Sequence, residues 1–335
     1  LPATRPITGI LAFKIGCKDH SLSSITEGAM QVNWGDITRQ QWDQLHGAAG
    51  GSLQQAWAYG EAISALGVQV LRASVRDERR QIVAVAQIAV RRLLGYLVVG
   101  SCTRGPVWVR RDVDHSAVYR AVRKAFRLPG LRVLLWTPEF DTPDADQAGV
   151  TRVMTGMGTV MLDLSVQESV LRKQLSGNWR NRLVKAEREQ GLGVFLNSAR
   201  GPCDQLLRHE MEQRKVRGFA GLPVGFVRQY IDAFKDPDRA FLIARVERQG
   251  EMLAGMLFLL HGSRATYHIG WSGEAARDLN LHNLLMWRAM LELKRRQILW
   301  LDLGGVNTAA LPGISRFKIG TGGVLTILKG TYLST

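Results

Sequence analysis

Residues 264–323 restrict the fold more than any other stretch of the chain. They read RATYHIGWSGEAARDLNLHNLLMWRAMLELKRRQILWLDLGGVNTAALPGISRFKIGTGG. Residues 264–272 alternate polar and apolar side chains and stop at Gly273, the pattern of a half-buried strand. Leu284, Leu285, Trp287, Ala289, Met290, Leu291 and Leu293 then recur at helical spacing with charges between them. Residues 298–303 form a short apolar run that ends in Gly304-Gly305, a buried strand. A strand, a helix and a strand this close together predict two parallel strands joined by a packed helical crossover.

The same order occurs earlier in the chain. Helices are predicted over 36–45 and 54–66, strands over 68–76, 81–90 and 96–99, a helix over 113–127 and a strand over 132–136. The second round has helices over 171–189, 203–216 and 224–234. Strands follow over 241–247, 252–260 and 264–271, then the helix 284–295 and the strand 298–303. The hairpins LRASVRDERRQIVAVAQIAV and FLIARVERQGEMLAGMLFLL match in length and pattern. They are a weak internal repeat, read either as two similar α/β modules in tandem or as a chance likeness of two hairpins. The length of 335 residues fits about two domains. Pro143, Asp144, Asp146 and Gly149 mark a connector. The expected division is an extension over 1–29, a first module over 30–155 and a second over 156–320.

The formal net charge is +15 and the pI is 10.3. Such an excess favours RNA, anionic lipid surfaces or phosphorylated substrates as partners. The competing reading is a set of solvated arginine-rich faces. No apolar run approaches the ~20 residues that cross a bilayer, so no integral membrane segment is expected. Cys17, Cys102 and Cys203 are odd in number and widely spaced, which fits reduced thiols in a cytoplasmic protein. No Cys/His cluster has zinc spacing. The sequence has no Gly-x-Ser-x-Gly elbow, no Walker loop and no His-Glu-x-x-His helix.

Several short motifs occur in a fixed order. They are Gly-Trp-Ser at 270–272, Asn-x-x-x-Trp at 283–287, Leu-Asp-Leu-Gly-Gly at 301–305 and Arg-Phe-Lys-x-Gly at 316–320. Upstream stand LQQAWAYG at 53–60 and NWRNRLVKAEREQG at 178–191. Together these resemble the FemABX peptidyltransferases, a branch of the GNAT-like acyltransferases, from about Met30 onward. The resemblance implies an α/β fold of two tandem GNAT-like modules, mixed sheets flanked by helices. It implies a C-terminal strand near 324–332 that returns to the first module, which residues 321–335 would complete. It implies a functional lysine at Lys318 and an aminoacyl-tRNA donor. The acceptor would be an amine: a cell-wall precursor, a small molecule or a peptide. No metal or redox cofactor is expected.

The residues themselves nominate a site. Arg316 and Lys318 follow Pro312-Gly313 and precede Gly320, and a fixed cation there can stabilise the oxyanion formed when an amine attacks an ester. The plain alternative is a surface lysine on a short helix. Tyr267, Trp271, Ser272 and Asn283 are the candidates for substrate contact, Trp271 because its strand ends there at a glycine. Trp287 reads as core. Asp302, on a buried strand, needs partners and reads as a structural hydrogen-bond centre. His268 and His282 read as satisfied histidines rather than bases.

In the helix 171–189, Leu171, Leu175, Trp179 and Leu183 make an apolar stripe. Arg180, Arg182 and Lys185 lie mostly off it, as a solvated face or as a ridge for RNA phosphates. The turn 277–283 has no glycine where an acyl-CoA enzyme would cradle pyrophosphate, which counts against acetyl-CoA. FemABX members acting on the nucleotide-linked precursor generally carry a lysine just after the LQ-x-x-W segment; here residues 60–64 contain none, and a carboxylate at Glu61 would repel a diphosphate. The reading is an aminoacyl-tRNA-dependent transferase that forms an amide bond, with peripheral contact to an anionic membrane as an added expectation. Its rivals are an acyl-CoA-dependent N-acyltransferase and a non-catalytic RNA- or envelope-binding protein on the same fold.

Overall fold

Each half of the sequence pattern closes into its own mixed sheet in the computed structural model, which describes residues 25–27, 30–139, 145–217 and 223–335. The first sheet begins with β1 (Ile25–Glu27), β2 (Met30–Trp34), β3 (Gln69–Arg76), β4 (Ile82–Leu93) and β5 (Leu97–Thr103), paired in that order. β6 (Val107–Trp108) pairs with β4, while β7 (Leu131–Thr137) runs parallel to β5 and β8 (Thr151–Met154) lies at the far edge. The second sheet contains β9 (Gly158–Asp163), β10 (Gly193–Asn197), β11 (Phe241–Arg248), β12 (Glu251–His261), β13 (Arg264–Ser272), β14 (Trp300–Val306) and β15 (Val324–Ile327). Its order is β10-β11-β12-β13-β14-β9-β15, with β13 and β14 parallel. The tandem α/β architecture is thus that of two GNAT-like modules.

The repeat is structural. In each module a long antiparallel hairpin leads to a strand, a helix and a parallel strand. The helix His115–Ala125 bridges β5 to β7, and the helix Leu281–Arg295 bridges β13 to β14. Asp114 caps the first by accepting from the Ala117 N–H at 3.0 Å. The second buries Leu284, Leu285, Trp287, Ala289, Met290 and Leu293, so Trp287 lies in the core. Each sheet has its own buried cluster.

A third cluster joins the modules. Leu53, Ala58 and Ala62 from the first half pack with Phe226, Tyr230 and Phe241 from the second. The Tyr59 and Phe226 rings meet edge to face, 5.1 Å apart. The LQQAW landmark is part of this junction. Gln55 is fully buried and donates to the carbonyls of Gln87 (3.1 Å) and Thr103 (2.9 Å) and accepts from the Gln87 N–H (2.8 Å). The segment's function is to staple the helix Trp57–Ala65 to β4 and β5.

Two expectations change. The single helix over 171–189 is two, Glu168–Gln174 and Gly177–Glu187. Leu175 and Ser176 are extended between them, and the Ser176 N–H donates to the Gly320 carbonyl at 3.0 Å instead of continuing the helix. The C-terminal strand over 324–332 is also two. β15 pairs with β9 in the second sheet, while β16 (Thr331–Ser334) inserts between β7 and β8 in the first. Of the extension over 1–29, only β1 is described, and residues 140–144 of the connector lie outside the described residues.

Buried histidines line the seam. His46, on the helix Arg39–Ala48, contacts the Ser52 carbonyl through Nε2 at 2.8 Å, and its ring meets that of His261 edge to face at 5.9 Å. Burial holds His46 down to about 4 and His261 well below its usual value. Each therefore contributes stability when neutral. For His46 that contribution is complete above the unfolded-state value of 6.5 and is lost as pH falls toward about 4. We predict that the urea midpoint drops over this interval and that His46→Gln flattens the drop, measured by equilibrium unfolding across pH. A midpoint independent of pH there would contradict this assignment.

Candidate active site

The parallel strand pairs of the two modules differ in one respect. β5 and β7 stay zipped from Leu97–Leu131 to Thr103–Thr137. β13 and β14 pair only at Arg264–Trp300, Ala265–Leu301 and Thr266–Asp302, and then part. The parting has local causes. The register of β12 against β13 shifts at Leu257/Phe258, so that Phe258 opposes Tyr267 and Leu257 opposes Ile269. On β14, Gly304 has φ +74, a conformation that favours glycine, and the register against β9 shifts between Asp302 and Gly305. A splayed parallel pair exposes backbone to a ligand, and the second module has one where the first does not.

Lys318 points to this opening. It sits on the helix Pro312–Ile319, is half-buried, and donates from Nζ to the Gly305 carbonyl at 2.9 Å. Burial pulls its ammonium below the usual lysine value, and the nearby Asp302 carboxylate opposes part of that shift. Arg316, two residues back on the same helix, is exposed.

The helix of Lys318 is fixed by the other basic motif. Trp179 Nε1 donates to the Phe317 carbonyl at 3.1 Å, and the two rings lie 5.9 Å apart. Gly320 allows this approach. A Cβ there would lie 2.8 Å from the Trp179 ring and 3.1 Å from Ser176 Oγ. Two motifs far apart in sequence are therefore one packing unit. On the helix Gly177–Glu187, Arg180, Arg182 and Lys185 are exposed. Arg180 Nη2 donates to the carbonyls of Lys173 (3.2 Å) and Leu175 (3.0 Å), closing the end of the preceding helix.

Asp302 is buried behind Lys318. It accepts from Thr159 Oγ1 at 2.6 Å and from the Gly304 N–H at 2.7 Å, and it pairs with Arg104. Burial pushes its carboxyl up, but the Arg104 charge and these hydrogen bonds prevail and hold it below the usual range. Arg104 also forks onto Glu139, through Nε at 3.0 Å and Nη2 at 2.9 Å, and Arg264 Nη1 reaches Glu139 at 3.0 Å. Arg104 and Glu139 come from the first module, Asp302 and Arg264 from the second. No sequence signal singled out Arg104, Glu139 or Thr159, since a polar residue on or near a strand looks like any other until its partner is known.

The remaining candidates line the parted strand. Tyr267 packs against Phe258, ring centroids 5.5 Å apart, and burial raises its hydroxyl. The Trp271 ring stacks on His209 at 4.1 Å, and its carbonyl contacts His282 Nε2 at 2.9 Å. The His282 ring lies 6.1 Å from that of Phe317, connecting the end of β13 to the lysine helix. Burial lowers His282 and holds His268 down to about 4, so both favour the neutral form. Ser272 is half-buried at the strand end. Asn283 is buried, and its Nδ2 has no acceptor among the described residues. Asn280 supplies the left-handed residue of the glycine-free turn, at φ +55, and its carbonyl accepts the Asn283 N–H at 3.0 Å. Glu61 is paired with Arg72 at 2.8 Å, so the negative charge expected to face a substrate is locally neutralised.

Breaking the inter-module network should cost far more than breaking a surface pair. Glu139→Ala leaves Arg104 with Asp302 alone and takes the Glu139 carboxylate from the buried Arg264, so the network keeps one excess positive charge, and we expect a loss of roughly 3–5 kcal/mol. Asp232→Ala, which breaks the exposed Arg200–Asp232 pair, should cost about 1 kcal/mol or less. Chemical denaturation of both variants checks the contrast, and equal losses would refute it.

Residues 173–318 match the family model of the acetyltransferase (GNAT) domain. No curated protein sequence matches the chain. Among solved structures, FemX is similar with a TM-score of 0.76 at 14% identity, over 90% of this chain and 96% of that one. A tandem GNAT protein from the clavulanic acid biosynthesis pathway has a TM-score of 0.51 at 13% identity, over 90% and 98%. The C-terminal domain of a putative lysylphosphatidylglycerol synthetase from Agrobacterium fabrum has a TM-score of 0.51 at 14% identity, over 88% and 91%. The chain thus has the tandem fold of the FemABX/GNAT-like superfamily, with an acetyltransferase (GNAT) domain match that falls within its second module.

Proposed function

We propose that the protein transfers an aminoacyl group from aminoacyl-tRNA to an amine and so forms an amide bond. The observation that carries this reading is the placement of Lys318 beside Gly304-Gly305, at the mouth of the parted β13 and β14. In the proposed reaction the neutral amine attacks the ester carbonyl carbon. A carbon–nitrogen bond forms, the ester carbon–oxygen bond breaks, and the nucleic acid leaves with a free hydroxyl. The attacking nitrogen gives up a proton. The Lys318 ammonium offsets the negative charge that develops on the carbonyl oxygen. Its tether to the Gly305 carbonyl holds that charge in position before reaction. Asn283 Nδ2, a buried donor that otherwise costs about 1–3 kcal/mol to leave unpaired, suits a substrate carbonyl. Tyr267, Trp271 and Ser272 form the wall along which the acceptor lies. No metal or redox cofactor has a role.

The donor assignment rests on the turn before the helix Leu281–Arg295. It lacks glycine, and its Asn283 N–H is already taken by the Asn280 carbonyl. That is a poor pyrophosphate cradle. The resemblance to FemABX and the likeness to FemX support the same donor. Arg182 and Lys185 would meet phosphates on the tRNA, beside the helix that carries Lys318; Arg180, which caps the preceding helix, would sit at the edge of that contact. Arg316 is the further cation at the entrance.

Lys318→Ala should lower turnover on the order of a hundredfold, with an unchanged melting temperature. The test is transfer of a labelled amino acid from a pool of charged tRNAs to amine acceptors in a cell extract. Because burial lowers the Lys318 ammonium below 10.5, wild-type turnover should fall at alkaline pH before that value is reached. Lys318→Arg should extend activity to higher pH. Near-wild-type turnover in Lys318→Ala would remove the residue from the reaction.

Equilibrium binding separates the donors. We expect tRNA to bind and acetyl-CoA not to. Arg182→Ala with Lys185→Ala should flatten the salt dependence of tRNA binding by roughly one unit of log–log slope per contact. Tight acetyl-CoA binding without tRNA binding would favour an acyl-CoA-dependent enzyme.

A further inference from the structure

We propose that the β4–β5 hairpin tip and the basic groove beside it form a docking site for an anionic lipid surface. The tip is Leu93-Leu94-Gly95-Tyr96, and its neighbour on β7 is Leu131. All four large side chains are exposed: Leu93 48%, Leu94 81%, Tyr96 59% and Leu131 61%. They are one patch. Leu93 pairs with Leu97, Leu97 pairs with Leu131, and the Leu131 N–H donates to the Tyr96 carbonyl at 2.9 Å. Scattered exposed leucines need no explanation, but a contiguous apolar projection on a soluble-type surface does.

Leu94 carries a second penalty. Its φ is +52 and Gly95 follows at +77. Asn or Gly would fit this loop better in conformation and in hydration. A bulky apolar residue in the left-handed region, with most of its surface in water, is costly on both counts. Insertion of the tip among acyl chains removes the hydration part of that cost.

The charge around the tip selects the partner. Arg91 and Arg92 precede it and are exposed, and Arg92 Nη1 donates to the Pro129 carbonyl at 3.0 Å. Next to it opens a groove of about 520 Å³ lined by Arg123, Lys124, Arg127 and Arg132. Lys124, Arg127 and Arg132 are exposed. Residues 79–111 contain no Asp or Glu, and neither do residues 115–138. Aliphatic side chains at a projecting tip, an aromatic ring at its base and a rim of cations match the layers of an anionic membrane surface: acyl chains, interface and headgroup phosphates. A second copy of the chain fits poorly, because a symmetric contact would bring the same cations face to face. RNA would use the cations but has no use for Leu93, Leu94 and Leu131.

This assignment is independent of the transfer reaction and is tested without it. The full chain is co-sedimented with phosphatidylcholine vesicles and with vesicles of equal parts phosphatidylcholine and phosphatidylglycerol, at low and high salt. Wild type should pellet with the anionic vesicles alone. Leu93→Ser with Leu94→Ser should reduce that partition by about tenfold or more, with tRNA binding unchanged. Arg127→Gln with Arg132→Gln should weaken it and flatten its salt dependence. Melting temperatures equal to wild type confirm that these exposed substitutions leave the fold intact. The proposal is overturned by unchanged partition in the leucine variant or by equal pelleting with neutral and anionic vesicles. It is equally overturned if these substitutions weaken tRNA binding while wild type ignores vesicles, which would make the face an RNA surface.

Discussion

The buried chain Arg264–Glu139–Arg104–Asp302 is the interaction on which the arrangement depends. Its charges alternate; its two middle members come from the first module and its two ends from the second. Desolvating four ionised side chains is expensive, so the network favours the structure only when each group meets its partner. That condition fixes how the two sheets sit against each other. Arg104 is held charged because Glu139 and Asp302 outweigh the burial that would lower it. Asp302 in turn is held ionised, and it is the buried carboxylate that faces Lys318. The relative placement of the modules and the electrostatics of the candidate site are therefore one problem with one solution.

The two modules share one arrangement of elements and differ in what their parallel pairs do. Both have a hairpin, a strand, a helical crossover and a parallel strand. In the first the parallel pair is closed along its length, and nearby the side of the sheet carries an apolar tip with a basic groove. In the second, a register shift on β12 and a left-handed glycine on β14 open the pair. An open pair leaves backbone groups free to meet a ligand, and the lysine helix stands beside that gap. One module thus holds the opening to which the proposed reaction is assigned, and the other holds the tip and groove of the proposed docking site.

The lysine is placed by packing rather than by its own sequence neighbours. Trp179 and Ser176 press against Gly320 and the Phe317 carbonyl, and that contact sets the helix on which Lys318 is carried. The break between the helices Glu168–Gln174 and Gly177–Glu187 belongs to the same contact, because the Ser176 N–H turns to the Gly320 carbonyl. A continuous helix would have kept that N–H for itself. Local helical order is given up there for a long-range hydrogen bond that positions the candidate site.

Much of this was present in the sequence. Hydrophobic periodicity is a local property, so the crossover helix Leu281–Arg295, its flanking strands and the paired hairpins could be read directly, as could the burial of Trp287. The ordered motifs pointed to the GNAT-like fold, and the resemblance they carry nominated Lys318 as a candidate. Three things needed the tertiary structure. The charged partner of Asp302, Arg104, lies in the other module, and no local pattern links Arg104 or Glu139 to it. The resemblance implied one strand over 324–332, yet the stretch divides between two sheets, because strand pairing depends on which edges are free. The parting of β13 and β14 follows from a register shift and one backbone angle, neither of which alters the apolar and polar order of residues. Sequence determined which elements form and which faces they bury; only the folded chain decided which charges meet across the seam, because that pairing is a matter of distance in space and not of position along the chain.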